Sequence, residues 1–204
     1  MLFKNTFTNF FLYFILFLSQ ISIAIAEVEI TPMVGYRIGG DFENSTNSTK
    51  LELEETETIG LVVDFDYGKY QQITLLYSQQ KTNMITFEPG VTNPLFGVDV
   101  EYFHIGGNQI WIKDKMRPFF GATIGGTHFS PEGYNSTTKF SFSIGGGSKF
   151  FLTKRIALMI GARGYMTFFS DSSAVFCGPG GCLISISGSA MFQLEANAGL
   201  TFRF

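Results

Sequence analysis

The sequence predicts an all-β fold: an eight-stranded antiparallel up-and-down transmembrane β-barrel, preceded by a cleavable signal peptide. Three observations predict it. Apolar and polar residues alternate in eight successive segments, the connections between segments are short and long in turn, and the polar faces are built from small residues rather than charges.

The 204 residues leave room for one domain or two small ones. Charged residues make up 15% of the chain, against about 25% in a typical soluble domain. Phe 24 and Gly 23 are both high for a soluble core. This balance excludes disorder, which needs low hydrophobicity and high charge. A formal net charge of -3 without a basic run excludes a nucleic-acid partner. Two cysteines make neither a disulfide-rich scaffold nor a four-thiolate zinc site.

Lys4 is the only charge before Glu27, Phe10 to Leu18 is an unbroken apolar run, and Ala24-Ile25-Ala26 is a small-residue cleavage site. That order is a secretory signal peptide over 1–26, with the barrel domain over 27–204. The apolar run stops at Ser19 and Gln20, short of the roughly 18–20 residues of a membrane helix. Export places the cysteines in an oxidising compartment.

The last segment alternates most cleanly. Phe192, Leu194, Ala196, Ala198, Leu200, Phe202 and Phe204 form one face, and Gln193, Glu195, Asn197, Gly199, Thr201 and Arg203 the other. Seven earlier segments follow the same rule. They run over Val28–Ile38, Thr58–Asp66, Tyr70–Gln80, Gly97–Ile112, Met116–Phe129, Thr138–Phe151 and Arg155–Phe169. In the fourth, Val98, Val100 and Tyr102 mark the apolar face, which assigns His104 to it as well. Asp66–Tyr70, Lys113–Met116 and Leu152–Arg155 are short turns. Gly39–Thr56, Lys81–Phe96, Ser130–Thr137 and Ser170–Ser187 are long loops at the opposite end.

A soluble eight-stranded barrel of lipocalin type has its apolar face inside, and a membrane barrel has it outside. Gly121, Thr123 and Gly125, with Ser141, Ser143, Gly145 and Gly147, give polar faces of small residues that suit a crowded interior. Aromatic pairs such as Phe119-Phe120, Phe150-Phe151 and Phe168-Phe169 sit near strand ends, where a membrane barrel carries its girdles. The membrane arrangement is therefore expected.

Phe142-Ser-Ile-Gly-Gly-Gly-Ser-Lys-Phe-Phe-Leu-Thr-Lys-Arg155 with Gly161-Ala-Arg-Gly-Tyr165, and Arg117-Pro-Phe-Phe-Gly-Ala-Thr-Ile-Gly125, resemble strands of the small bacterial outer-membrane β-barrel proteins. The terminal Gly199-Leu-Thr-Phe-Arg-Phe204 resembles their C-terminal strand. The resemblance implies an eight-stranded barrel in a Gram-negative outer membrane, contact with outer-membrane lipid, and Phe202 and Phe204 as an assembly signal for the barrel-assembly machinery. It implies no shared catalytic residues, because members differ in function.

Charges on the polar faces are expected to form an interior network: Glu29, Arg37, Arg163, Glu195 and Arg203. The first and last strands must pair antiparallel to close the sheet. One register then sets both Glu29 against Arg203 and Arg37 against Glu195, with Arg163 on the far side of Glu195. Cys177 and Cys182 frame a Gly/Pro loop tip and are expected to form a disulfide, stabilising by roughly 2 kcal/mol. His128-Phe-Ser130 is the one enzyme-like feature, similar to the His-x-Ser pair of lipid A deacylase barrels. The next strand offers Phe142 there rather than an acid, so no catalytic residue is assigned. No metal or cofactor site is expected. Asn44-Ser-Thr46, Asn47-Ser-Thr49 and Asn135-Ser-Thr137 are polar surface sequence, and Glu52, Glu54, Glu55 and Glu57 a solvated loop edge.

The sequence thus points to a non-enzymatic outer-membrane barrel presenting four loops to an extracellular ligand or host surface, or stiffening the membrane. The alternatives are a narrow channel for small solutes, a soluble lipocalin-like ligand binder and a lipid hydrolase.

Overall fold

The computed structural model describes residues 27–43, 50–88, 91–169, 174–178, 181–185 and 190–204. The signal peptide expected over 1–26 lies outside the described residues. Among the described residues twelve strands occur in chain order: β1 Val28–Gly39, β2 Asp41–Glu43, β3 Lys50–Leu53, β4 Thr56–Asp66, β5 Gln71–Glu88, β6 Val91–Ile110, β7 Met116–Pro131, β8 Thr137–Phe151, β9 Ile156–Phe168, β10 Ala174–Gly178, β11 Gly181–Ser185 and β12 Ala190–Arg203. Eight of them close a ring in the order β1-β4-β5-β6-β7-β8-β9-β12, antiparallel throughout, with β12 back on β1. These are the eight segments that alternate in the sequence.

Following register partners from Glu29 once round the ring returns to Gly39, ten residues further along β1. A stagger of this size in eight strands tilts them by roughly 40°. At that tilt the interior is just wide enough for side chains to fill it.

The turns at the tight end have local causes. Lys113 and Met116 exchange both backbone hydrogen bonds around a two-residue turn, and Asp114 takes the left-handed conformation there (φ 48°), which aspartate tolerates better than most residues. Thr153 Oγ1 accepts from the backbone N–H groups of Arg155 and Ile156 and so folds the β8–β9 turn.

The faces are inverted relative to a soluble barrel. Val34, Ile59, Phe103, Ile105, Ile124 and Ile160 are all more than half exposed on the outer wall. Thr31, Thr74, Ser78, Thr123, Ser143 and Glu195 are buried inside. The outer apolar band rises roughly 20–25 Å, the height a membrane barrel needs.

Above that band the polarity reverses. Met84, Val98, Val100, Phe129 and Met191 point inward and are buried, while Lys81, Asp99, Glu101, His128 and Ser130 point outward. This corrects the expected phase of β6. Val98, Val100 and Tyr102 line the lumen, and Phe103 and Ile105 face out. His104 consequently lies inside the barrel rather than on its outer wall. The outer end of the strand is wetted outside and dry inside, as in a soluble sheet, so its alternation has the opposite sense.

The long loops also hold more sheet than expected. β5 and β6 run on past the ring as one hairpin, with a register shift at Met84/Ile85. β3 pairs with the extension of β5, and β2 with β3. β10 and β11 form a separate hairpin.

Candidate functional site: the lumen and its two mouths

Arg37 and Glu195 are register partners in the β1–β12 pair. Arg37 Nε and Nη2 donate to Glu195 Oε2 at 3.1 and 2.6 Å. Ser78 Oγ donates to the same oxygen at 3.0 Å. Asn197 Nδ2 and the Tyr165 hydroxyl donate to Oε1 at 3.0 and 3.4 Å. The Arg37 guanidinium lies 4.8 Å from the Tyr102 ring centre and 4.9 Å from that of Tyr165. The two rings are themselves in contact, centroids 4.2 Å apart, so the cation lies against both and gains cation–π attraction while it keeps the carboxylate.

Arg163 is the register neighbour of Glu195 on β9. It forms no ion pair with Glu195 among the described residues and donates to Ser143 Oγ at 2.9 Å. The oxygens of Glu195 are already occupied by the donors named above.

Glu29 and Arg203 are also register partners, but at 3.6 Å they make only a loose ion pair. The closer partner of Glu29 is Lys149, whose Nζ lies 2.5 Å from Glu29 Oε2 and 2.7 Å from Asp64 Oδ2. Arg203 is engaged by Glu27, and by Asp66 at 3.0 Å. Lys149, Asp64, Asp66, Ser78, Tyr102 and Tyr165 were not in the expected network. Asp64 and Lys149 do stand on polar faces, between Val63 and Phe65 and between Ser148 and Phe150, so parity alone was a usable signal.

His104 is held by hydroxyls, Nδ1 with Thr123 at 2.9 Å and Nε2 with Ser141 at 2.8 Å. It faces Gly125 across the β6–β7 pair, where a Cβ would come within 2.7 Å of the imidazole. Asn108 faces Gly121 in the same way.

His128 and Ser130 are on the outer wall above the apolar band. His128 Nδ1 bonds Thr138 Oγ1 at 2.8 Å rather than Ser130. The carboxylate in register with His128 is Glu101, on β6 rather than on the β8 side that carries Phe142, and the Tyr77 hydroxyl donates to it at 2.7 Å. Cys177 and Cys182 are register partners in the β10–β11 hairpin, and their side chains lie outside the described residues. Phe202 and Phe204 face outward at the tight-turn end, and Phe204 N donates to Val28 O at 2.9 Å. No group of three or more metal-ligating side chains occurs among the described residues.

A closed ring with an apolar outer band and an ion-paired polar lumen is a membrane-spanning β-barrel. Its fold is that of the small eight-stranded outer-membrane barrels. The outer membrane protein OprG of Pseudomonas aeruginosa superposes with a TM-score of 0.59 at 10% identity, covering 88% of this chain and 96% of that one. Neisserial surface protein A gives 0.57 at 11% identity, covering 87% and 97%. The N-terminal β-barrel domain of Pseudomonas aeruginosa OprF gives 0.51 at 12% identity, covering 88% and 98%. No family model and no curated protein matches the chain.

Proposed function

We propose that this chain is a non-enzymatic barrel of a Gram-negative outer membrane, and that its long-loop end offers a surface for an extracellular ligand or host surface. The observation that carries this reading is the filled lumen. Arg37, Tyr102, Tyr165, Gln80 and Gln193 are fully buried across it, tied by Tyr102 Oη to Gln193 at 2.8 Å and by Gln193 to Gln80 at 3.1 Å. A solute channel would need a gap through these layers, which leaves the sheet-extended outer end as the part with free surface.

Separation of outer-membrane from soluble fractions, with heat-modifiable migration on a gel, tests the location. Recovery of the protein in the soluble periplasm would overturn it. Changing His128 or Ser130 to Ala is expected to leave lipid A composition unchanged. Acyl release that depends on either side chain would replace this reading with a hydrolase. Deleting Phe204 is expected to lower membrane yield, since the last strand loses its terminal apolar anchor and the backbone pairing to Val28. Normal yield after deletion would remove the assembly role.

A further inference from the structure

The tight-turn end carries a cleft of about 500 Å³ between the Lys113–Met116 turn and the turn after Phe151. Phe151 forms one wall, and the guanidinium carbons of Arg117 and Arg203 lie 4.6 and 5.7 Å from its ring centre. Lys115 and Lys154 stand exposed at the lip.

These cations have spare donors. The carboxylate oxygen nearest the Arg117 guanidinium is Glu29 Oε1 at 3.6 Å, beyond hydrogen-bond length, and that guanidinium makes no hydrogen bond among the described residues. Arg203 holds Glu27 and Asp66, and its buried Nε makes no hydrogen bond, with Glu29 Oε1 standing off at 3.6 Å. Lys69, Lys113 and Arg155 add positive charge in the neighbouring turns. The acids at this end are Glu27, Glu29, Asp64, Asp66 and Asp114; Arg203 engages Glu27 and Asp66, Lys149 engages Glu29 and Asp64, and Glu27 and Asp114 are part of the cleft lining. The opposite end is acidic, with Glu52, Glu54, Glu55, Glu57 and Glu132. The cleft also sits just beyond the apolar band, at head-group depth, among exposed Leu152, Trp111 and Phe204.

We propose that this cleft binds the phosphodiester head group of an anionic phospholipid in the leaflet at the tight-turn end. Arg117 offers a planar fork to the phosphate, and Lys115 and Lys154 supply point charges at the lip. The acyl chains lie along the adjoining apolar wall at Phe150 and Leu158. Charge selects the occupant: a zwitterionic head group brings an ammonium into a site that already has unspent cations. The inference rests on the membrane placement proposed above.

The test uses the full barrel in neutral-detergent micelles, titrated with phosphatidylglycerol or with phosphatidylcholine of the same acyl chains. Retained lipid is read by native mass spectrometry, and stability by thermal unfolding. Phosphatidylglycerol is expected to be retained and to raise the unfolding temperature at concentrations where phosphatidylcholine does neither. Lys115→Gln/Lys154→Gln is expected to weaken its retention roughly ten-fold, and Arg117→Gln to remove the preference, with Arg117→Lys keeping part of it. Both lysines are exposed turn residues, so the double variant stays decisive if Arg117→Gln does not fold. Equal retention of the two lipids, or wild-type retention by the double lysine variant, overturns the proposal. Displacement by glycerol phosphate at equal concentration also overturns it, in favour of a free phosphate-ester site. An error in the membrane placement would show separately, in the fractionation.

Discussion

Glu195 is the residue on which the mid-lumen depends. Its two oxygens accept from Arg37, Ser78, Asn197 and Tyr165, and it is fully buried with Arg37. Glu195→Ala leaves the Arg37 charge buried against two tyrosine rings without a counter-ion. The expected loss is about 3–5 kcal/mol, measured by urea unfolding of the refolded barrel in lipid. Arg203→Ala is expected to cost less, because its side chain is 13% exposed at the mouth and its partner Glu27 is half exposed. Equal losses would mean that the two pairs share one environment. The register behind both pairs was legible in the sequence, because adjacent antiparallel strands obey a simple pairing rule. The Lys149 cluster was not. Lys149 is on β8, whose sheet neighbours are β7 and β9, and it reaches across the lumen to β1 and β4. No strand-pairing argument relates positions that meet through the middle of a barrel.

At the scale of the strand, glycines in the lumen serve the larger side chains opposite them. His104 sits against Gly125 and Asn108 against Gly121, two steps of one β6–β7 ladder. A Cβ at Gly125 would stand 1.9 Å from Phe103 O, so even alanine must push the strands apart. At Gly126, on the outer wall, the nearest atom is the Thr138 methyl at 3.2 Å, and that side chain can turn. Gly125→Ala is therefore expected to destabilise by about 1–3 kcal/mol and Gly126→Ala by less, compared in the same unfolding assay. The small-residue faces that marked the lumen in the sequence thus have a packing cause. The phase of β6 was illegible for a related reason. Its apolar residues switch from even to odd positions between Tyr102 and Phe103 while the strand runs straight through. The chain keeps its geometry, and its surroundings change from loop-end water to membrane. The β10–β11 hairpin sets Cys177 opposite Cys182, and we propose that they are bonded. Non-reduced protein is expected to resist thiol alkylation until a reductant is added, and alkylation without reductant would show free thiols.

At the scale of the whole molecule, three layers among the described residues cross the lumen in sequence, with Met33, Val62, Leu76 and Met159 packed beside the first. Nearest the tight turns is the Lys149–Glu29–Asp64 cluster, then Arg37 against its tyrosines, then the apolar layer of Met84, Val98, Val100, Phe129 and Met191. The first two close the lumen by paired charge and the third by dry packing, and a hydrophobic constriction excludes ions by a different mechanism from a charged one. Wild-type protein in planar bilayers is therefore expected to show no steady conductance. Thinning the middle layer alone, by Tyr102→Ala with Tyr165→Ala, is expected to leave it closed, because ions would still have to lose water to pass Phe129 and Met191. Adding Phe129→Ala and Met191→Ala removes that dry layer, yet the Lys149–Glu29–Asp64 cluster still closes the lumen by paired charge, so the quadruple variant is also expected to stay closed while it retains heat-modifiable migration. Regular single-channel steps from the wild type would show that the layers open together, and would move the chain to the channel reading. Conductance from the double tyrosine variant would show that the apolar layer at the loop end does not seal.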